Sequence, residues 1–201
     1  QQPPAPIEKP LRFVVQDIYR FDARRLIVGR IESGQFAVGD EIVFYPGDKM
    51  SKIKSIEVWP ATEAQPTRAY AGQSVAIQLE EQIFAERGHI GGHPGHAPVE
   101  GLSFSARVFW LADEPLTVGR TYTLKLGTQQ VEARLDRVDR LMDSATLAPL
   151  VEARPQIARN EVAELVFRTR RPLAFDNSEV VQETGRFVVV QDGRTGGGGV
   201  I

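Results

Sequence analysis

The chain lacks cysteine altogether and has no long apolar run. The absence of cysteine excludes disulfides, metal sites built on thiolates and a cysteine nucleophile, and it favours a cytoplasmic location. No apolar run approaches the roughly 18 residues that a membrane-spanning helix needs, so we expect no membrane partner. Residues 1–6 contain neither an initiator Met nor the apolar core of a signal peptide. We therefore expect a cytoplasmic protein that is a piece of a longer chain.

A strong charge of either sign is also missing. The 24 Lys and Arg residues nearly balance the 26 Asp and Glu residues, which leaves a formal net charge of −2. Proteins that bind nucleic acid through their overall charge carry a clear positive excess. We therefore do not expect nucleic acid as the partner, although local basic patches remain possible.

Short segments rich in Val, Ile, Phe and Thr recur between Gly, Pro and Asp turn signals, and almost no segment has a helical period. This pattern predicts an all-β fold of two tandem antiparallel six-stranded β-barrels. The predicted strands of the first barrel are Leu11–Tyr19, Arg25–Ile31, Asp40–Tyr45, Ser51–Trp59 and Gln73–Glu80. Those of the second are Leu102–Leu111, Thr121–Leu126, Gln129–Val138, Glu161–Thr169, Arg186–Gln191 and Gly198–Ile201.

The segment 88–98 contains Gly and Pro in three clusters, which predicts a linker without regular structure. We therefore divide the chain into a disordered or linking segment over 1–10, a first barrel over 11–88, an interdomain linker over 89–100 and a second barrel over 101–201. Residues 81–87 are expected to form one helical turn or a short strand. The less regular stretch between Asp139 and Asn160 is expected to cross the surface of the second barrel.

The last seventeen residues read as two short strands about a Gly-rich turn, with Gly185, Phe187, Arg194, Thr195 and Gly199 at set positions. This pattern resembles the closing hairpin of the third domain of translation-factor GTPases. Earlier stretches resemble the second domain of the same family, namely 28–34 (VGRIESG), 38–40 (VGD), 71–75 (AGQSV) and 87–88 (RG). The resemblance implies barrels like domains II and III of elongation factor Tu.

Four further stretches, 108–116, 119–129, 160–162 and 171–173, look most like the GTPase large subunit of bacterial sulfate adenylyltransferase, also called ATP sulfurylase. The resemblance implies barrels that couple the GTP state of an upstream G domain to the catalytic subunit of that enzyme. It also implies GTP and Mg²⁺ in that G domain, and both the G domain and the catalytic subunit as partners. The alternatives are the tRNA- or ribosome-binding barrels of an elongation-factor-like GTPase and a stand-alone interaction module.

Two departures from the family pattern stand out. Where elongation factor Tu has a Gly-rich approach to its second strand, this chain has residues 21–26 (FDARRL), which argues against the positioning of aminoacyl-tRNA at this edge. The other departure is the run of four glycines at Gly196–Gly199, which predicts a last strand of unusual flexibility.

The motifs of a GTPase are absent from the sequence itself. No Gly-Lys dipeptide exists, so there is no phosphate-binding loop, and the Asp-x-x-Gly and Asn-Lys-x-Asp motifs of the family are missing as well. We therefore expect no catalytic, nucleotide-binding or metal-binding residue, no cofactor in this chain and no enzyme activity of the chain alone.

Four groups of residues invite a functional interpretation. His89, His93 and His96 fall within eight residues and could bind a metal, although a solvated linker explains them better. Arginine forms a second group that could contact phosphate or an acidic partner, and an outer barrel face explains it better: Arg154, Arg159, Arg168, Arg170 and Arg171. Trp59 and Trp110 are expected to pack in a core or at a barrel rim, with a role as exposed anchors for a partner as the alternative. Asp22–Arg25 is expected to form a charged hairpin tip, with contact to the missing G domain as the alternative.

Overall fold

The computed structural model describes residues 7–21, 24–59, 65–146, 148–149 and 154–201. It divides into two compact units, Gln1–Glu100 and Gly101–Ile201. The described residues form strands, turns and loops, and none of them lies in a helix that could span a membrane. The all-β prediction is therefore confirmed, and so is the prediction of two closed six-stranded barrels.

The first unit forms a closed antiparallel barrel in the strand order β1-β2-β7-β5-β4-β8. Its described strands are β1 (Arg12–Phe21), β2 (Arg24–Ser33), β3 (Gln35–Ala37), β4 (Glu41–Tyr45), β5 (Lys49–Glu57), β6 (Arg68–Tyr70), β7 (Ser74–Leu79) and β8 (Ile90–Gly92). Strands β3 and β6 pair separately as a small sheet. The core is aromatic and aliphatic, with the rings of Phe13 and Phe36 edge to face at 5.6 Å.

Strand β8 corrects the prediction of a linker over 89–100. Ile90–Gly92 pairs with both β1 and β4, so this segment closes the first barrel. A Cβ on Gly91 would lie 2.8 Å from Cδ1 of Ile42 and 3.4 Å from Cβ of Phe13. Gly91 therefore permits close approach inside a sheet, which is another reason for glycine in a strand. The next strand begins at Val99, two residues before the predicted start of the second barrel, while the second compact unit begins at Gly101 as predicted.

The second unit forms another closed antiparallel barrel, in the order β11-β12-β14-β9-β16-β15. Its described strands are β9 (Val99–Trp110), β10 (Leu116–Thr117), β11 (Thr121–Leu126), β12 (Gln129–Asp143), β13 (Gln156–Ile157), β14 (Glu161–Phe175), β15 (Arg186–Gln191) and β16 (Arg194–Val200). Strands β12 and β14 are longer than predicted, and two register shifts interrupt their pairing. Such bulges bend a strand, which lets both strands follow the curved barrel wall.

The predicted excursion over 139–160 is found only in part. Strand β12 continues to Asp143, an isolated bridge joins Met142 to Pro149, and β13 pairs with β10 beside the barrel. Residues 147 and 150–153 of this stretch lie outside the described residues. Residues 81–87 form neither the helical turn nor the strand that was expected.

The glycine run lies within β16, which is longer than the predicted Gly198–Ile201. A Cβ on Gly196 would overlap the indole of Trp110, and one on Gly197 would lie 2.8 Å from Cε3 of the same ring. Trp110 is fully buried in the core of this barrel. These two glycines therefore make room for the largest side chain of the core. The greater flexibility expected of this strand stays a prediction.

Candidate interaction surfaces

The three histidines do not converge. His89 accepts a hydrogen bond at Nδ1 from the backbone N–H of Glu86 at 3.4 Å, and Nε2 of His93 lies 3.4 Å from Asp40 Oδ2. His96 is exposed and contributes its carbonyl to the fold. In the described part of the chain, no three His, Cys, Asp or Glu side chains are placed to hold a metal ion together.

A buried arginine secures residues 89–96, which contain the three histidines and are called the histidine segment, to the first barrel. Arg12 is only 2% exposed, and its Nη1 donates to the carbonyls of Leu11 at 2.7 Å and His96 at 2.8 Å. A buried guanidinium needs such acceptors, because an unpaired charge is costly away from water. Sequence reasoning missed Arg12, since nothing in the neighbouring sequence distinguishes it from an arginine on the surface.

The arginines of the second barrel are exposed and mostly paired. Arg168 and Arg170 both face outward from β14, as the alternation predicts. Arg168 lies 3.3 Å from Asp136, and Arg159 lies 2.6 Å from Asp113. Arg154 pairs with Glu161. The group therefore has the character of a solvated outer face with local ion pairs.

The two tryptophans have different surroundings. Trp110 is fully buried, and its Nε1 donates to the carbonyl of Glu114 at 2.8 Å, as core packing requires. Trp59 is 61% exposed just beyond the end of β5, so it does not pack in a core, and both its packing at the barrel rim and its use as an exposed anchor stay predictions. Of the predicted hairpin tip, Asp22 and Ala23 lie outside the described residues, and Arg24 pairs with Glu57 at 3.4 Å.

A cluster at the rim of the first barrel was not predicted. Phe84 is 57% exposed, with the guanidinium carbon of Arg25 5.9 Å and the Nζ of Lys49 5.3 Å from its ring centre. Next to it lies a pocket of about 200 Å³ lined by Arg25, Lys54, Gln78, Glu80 and their neighbours. We call Phe84, Arg25 and Lys49 the rim cluster.

The rim cluster has an unused donor. The Nη2 of Arg25 donates to the carbonyl of Ala85 at 3.3 Å, whereas its buried Nε has no hydrogen-bond partner among the described residues. Cations over an exposed aromatic face suit ion pairing and stacking. These groups provide for binding rather than for covalent chemistry. The only local signal in the sequence was a large aromatic residue in the polar stretch 80–88.

Comparisons with known proteins agree on the kind of domains present. Residues 103–201 match the family model described as GTP-eEF1A C-terminal domain-like. Sulfate adenylyltransferase subunit 1 of Shewanella woodyi is 33% identical over 180 residues, which cover 89% of this chain and 37% of that protein. Elongation factor 1-alpha of Staphylothermus marinus is 31% identical over 206 residues, covering 100% of this chain and 46% of the relative.

The solved structures show the same fold. A crystal structure of Sup35 complexed with GMPPNP superposes with a TM-score of 0.89 at 15% identity, covering 100% of this chain and 48% of that one. At such low identity the likeness concerns the fold alone. The chain spans less than half the length of sulfate adenylyltransferase subunit 1 and of elongation factor 1-alpha.

Proposed function

Because this chain consists of barrel domains of the translation-factor-type GTPase family, we propose that it is the non-catalytic barrel region of a regulatory GTPase subunit of sulfate adenylyltransferase. The observation that carries the proposal is the 33% identity with sulfate adenylyltransferase subunit 1 over 180 residues. The four stretches that resemble this subunit in the sequence all lie in the second barrel, at 108–116, 119–129, 160–162 and 171–173.

The absence of the nucleotide-binding motifs supports the proposal that this chain lies outside the G domain of such a subunit. Without a phosphate-binding loop it offers no backbone cradle for GTP, so GTP and Mg²⁺ would be held by an upstream G domain of the same chain. The contacts between the barrels and the G domain would then depend on whether GTP or GDP is bound, and the barrels would pass this change to the catalytic subunit. Such coupling requires two discrete arrangements of packed units.

The whole enzyme would convert sulfate and ATP to adenylyl sulfate and pyrophosphate, with GTP hydrolysis as the driving reaction. The catalytic residues for sulfate activation would all lie in the partner subunit, and the protein would act in the cytoplasm. In this scheme the barrels contribute surfaces for contact with the partner subunit, and the rim cluster and the outer strand faces are such surfaces.

The direct test is association with the catalytic subunit of sulfate adenylyltransferase from the same organism. We expect titration calorimetry to give a dissociation constant in the nanomolar to micromolar range, with one barrel chain per catalytic subunit. Complete absence of association, with a catalytic subunit shown to be active, would overturn the proposal.

An elongation-factor-like function is the second candidate. Elongation factor 1-alpha of Staphylothermus marinus matches over 100% of this chain, and the rim cluster combines an exposed ring with two cations. Affinity for tRNA that falls steeply between about 50 and 200 mM salt would support it, because phosphate contacts release counterions. The residues 21–26 argue against it, since they replace the Gly-rich approach of elongation factor Tu.

A stand-alone module is the remaining alternative. Its support was a metal site on His89, His93 and His96, and these side chains have separate surroundings in the described structure. Peptide mapping of the protein from its native source distinguishes this alternative, because the leading proposal requires a phosphate-loop domain before Gln1.

A further inference from the structure

The second barrel exposes a row of apolar side chains across three neighbouring strands. In this row Gly198 of β16 is directly opposite Phe109 of β9 on one side and Val188 of β15 on the other. Val200, two residues along β16, lies on the same face. The exposed fractions are 39% for Phe109 and 37% for each valine. We call these four residues the Gly198 face.

Gly198 is the one glycine of the run Gly196–Gly199 whose added Cβ would meet no close neighbour. At Gly196, Gly197 and Gly199 a Cβ would lie under 3.0 Å from a neighbouring atom, so packing explains these three. At Gly198 the nearest atom would be the carbonyl oxygen of Phe187 at 3.5 Å, which is ordinary contact. Its φ lies outside the left-handed region, so the backbone does not require glycine either.

The missing side chain at Gly198 leaves a shallow depression. Neighbouring strands lie about 4.8 Å apart, so Phe109 and Val188 flank a gap of about 10 Å across β16. The floor of this gap is bare backbone, and its two walls are apolar side chains. A single branched aliphatic side chain of another molecule fits a gap of this width.

Cations frame the Gly198 face. Lys125 is opposite Val188 and extends the row, while Arg107 and Arg186 are opposite Val200 on its two sides. Arg107 shares its charge with Glu164 at 3.0 Å. Lys125 and Arg186 are exposed and form no ion pair with a carboxylate in the described ranges. Lys125 and Arg186 therefore stand beside the apolar depression without an ion pair in the described ranges, whereas Glu164 and Glu179 line the surface hollow that Val200 and Arg107 share.

We propose that the Gly198 face docks an acidic segment of the catalytic subunit, with one aliphatic side chain over Gly198 and carboxylates against Lys125 and Arg186. The inference rests on the proposed function for the identity of the partner. Charge complementarity selects the partner, because a second copy of this chain would bring the same cations into contact and repel. An RNA partner fits the site less well, since Phe109 is the one ring of this face that could stack on a base and the two valines neither stack nor form hydrogen bonds.

The test measures the affinity of the purified chain for the catalytic sulfate adenylyltransferase subunit by titration calorimetry. Gly198→Leu fills the depression with a side chain that has room to point outward. The double variant Lys125→Glu and Arg186→Glu reverses the charge at the two cationic positions beside the depression. We expect each variant to weaken binding about tenfold or more, and the charge variant also to lose the salt dependence of the wild-type affinity.

The matched controls lie elsewhere on the same barrel. Ser103→Leu adds the same side chain at an exposed position of β9, and Arg134→Glu reverses an exposed charge on β12. Both are expected to keep wild-type affinity. Circular dichroism and unfolding curves show whether Gly198→Leu keeps the fold, and the charge variant tests the same face without added bulk.

The outcomes separate the two proposals. Binding of the wild type with loss only in the Gly198-face variants supports the docking surface. Equal binding by all variants, or equal loss in Ser103→Leu, overturns the docking surface and leaves the proposed function in place. Absence of wild-type binding to the catalytic subunit overturns both proposals. Both are also overturned if the wild type binds tRNA but not the catalytic subunit, and Gly198→Leu abolishes the binding of tRNA.

Discussion

The indole ring of Trp110 lies against the backbone of Gly196, in a space that a Cβ on Gly196 would overlap. The two residues belong to neighbouring strands of the second barrel, where Leu111 and Ala112 donate backbone hydrogen bonds to the carbonyl of Gly196. The strand pairing brings the backbones close, so the large ring needs a neighbour without a side chain. The glycine is therefore part of the core packing.

Replacement of Gly196 by valine is expected to destabilise the second barrel by about 1–3 kcal/mol, because overpacking forces the indole or the strand to move. Urea unfolding followed by Trp110 fluorescence measures the change, in a Trp59→Phe background that leaves one tryptophan. The control Gly198→Ala is expected to be neutral or to stabilise by up to about 1 kcal/mol, since its Cβ has room. Equal destabilisation by both variants would contradict the packing account.

The hydrogen bonds of Arg12 give a second prediction. Arg12→Met keeps an apolar stem but removes the charged donor from the carbonyls of Leu11 and His96. Loss of a charged donor to buried acceptors is expected to lower the free energy of unfolding by about 1.5–3 kcal/mol. Hydrogen exchange should then become faster at the amides of β8.

The matched control for Arg12 is Arg87, an exposed arginine whose Nη1 donates to the carbonyl of Gln16 at 3.1 Å. Arg87→Met is expected to change stability by no more than about 0.5 kcal/mol, because its hydrogen bond is open to water. If Arg12→Met left the exchange of β8 unchanged, the histidine segment would be held by other contacts.

The sequence predicts most of the strands because alternation and flanking glycines act locally. Thr121–Leu126 and Arg186–Gln191 have the predicted bounds, and each has a glycine within two residues of both its ends. Strand β8 could not be predicted in this way. A Cβ on Gly91 would crowd the side chain of Ile42, which only the closed barrel brings near.

The surfaces were harder to predict than the strands, for a related reason. The rim cluster joins Arg25, Lys49 and Phe84 from three separate stretches, and the Gly198 face depends on the register of three strands. A shift of one residue in any pairing would send the opposite set of side chains outward. Composition and spacing do not determine that register.

The third prediction concerns pH. Burial lowers the pKa of His89 below its ordinary 6.5, with the charge of Lys49 in the same direction and that of Glu86 opposed to it. The folded state therefore resists protonation of this side chain, and below about pH 6.5 the unfolded chain binds more protons. Stability is accordingly lost as the pH falls through 6.5, and the loss ends below the folded pKa.

The pH prediction is measured by urea unfolding between about pH 7.5 and pH 5.5. The wild type should become less stable over this range, and His89→Gln should show a smaller slope. Glutamine can still accept the hydrogen bond from the Glu86 backbone N–H, so the variant keeps that contact. An unchanged slope in His89→Gln would show that other groups cause the pH dependence.

The fourth prediction uses the rim cluster to decide between the two candidate functions. Phe84 is exposed, and exposed cation–π contacts contribute about 0.5–1 kcal/mol each, so Phe84→Ala should lower stability only slightly. On the sulfate adenylyltransferase proposal, tRNA affinity is weak and Phe84→Ala leaves it unchanged. On the translation-factor alternative, loss of a stacking ring weakens it by about 1–3 kcal/mol. Trp59→Ala is the matched control, because it removes another exposed ring outside the cluster. A loss of tRNA affinity in Phe84→Ala but not in Trp59→Ala would favour the translation-factor alternative.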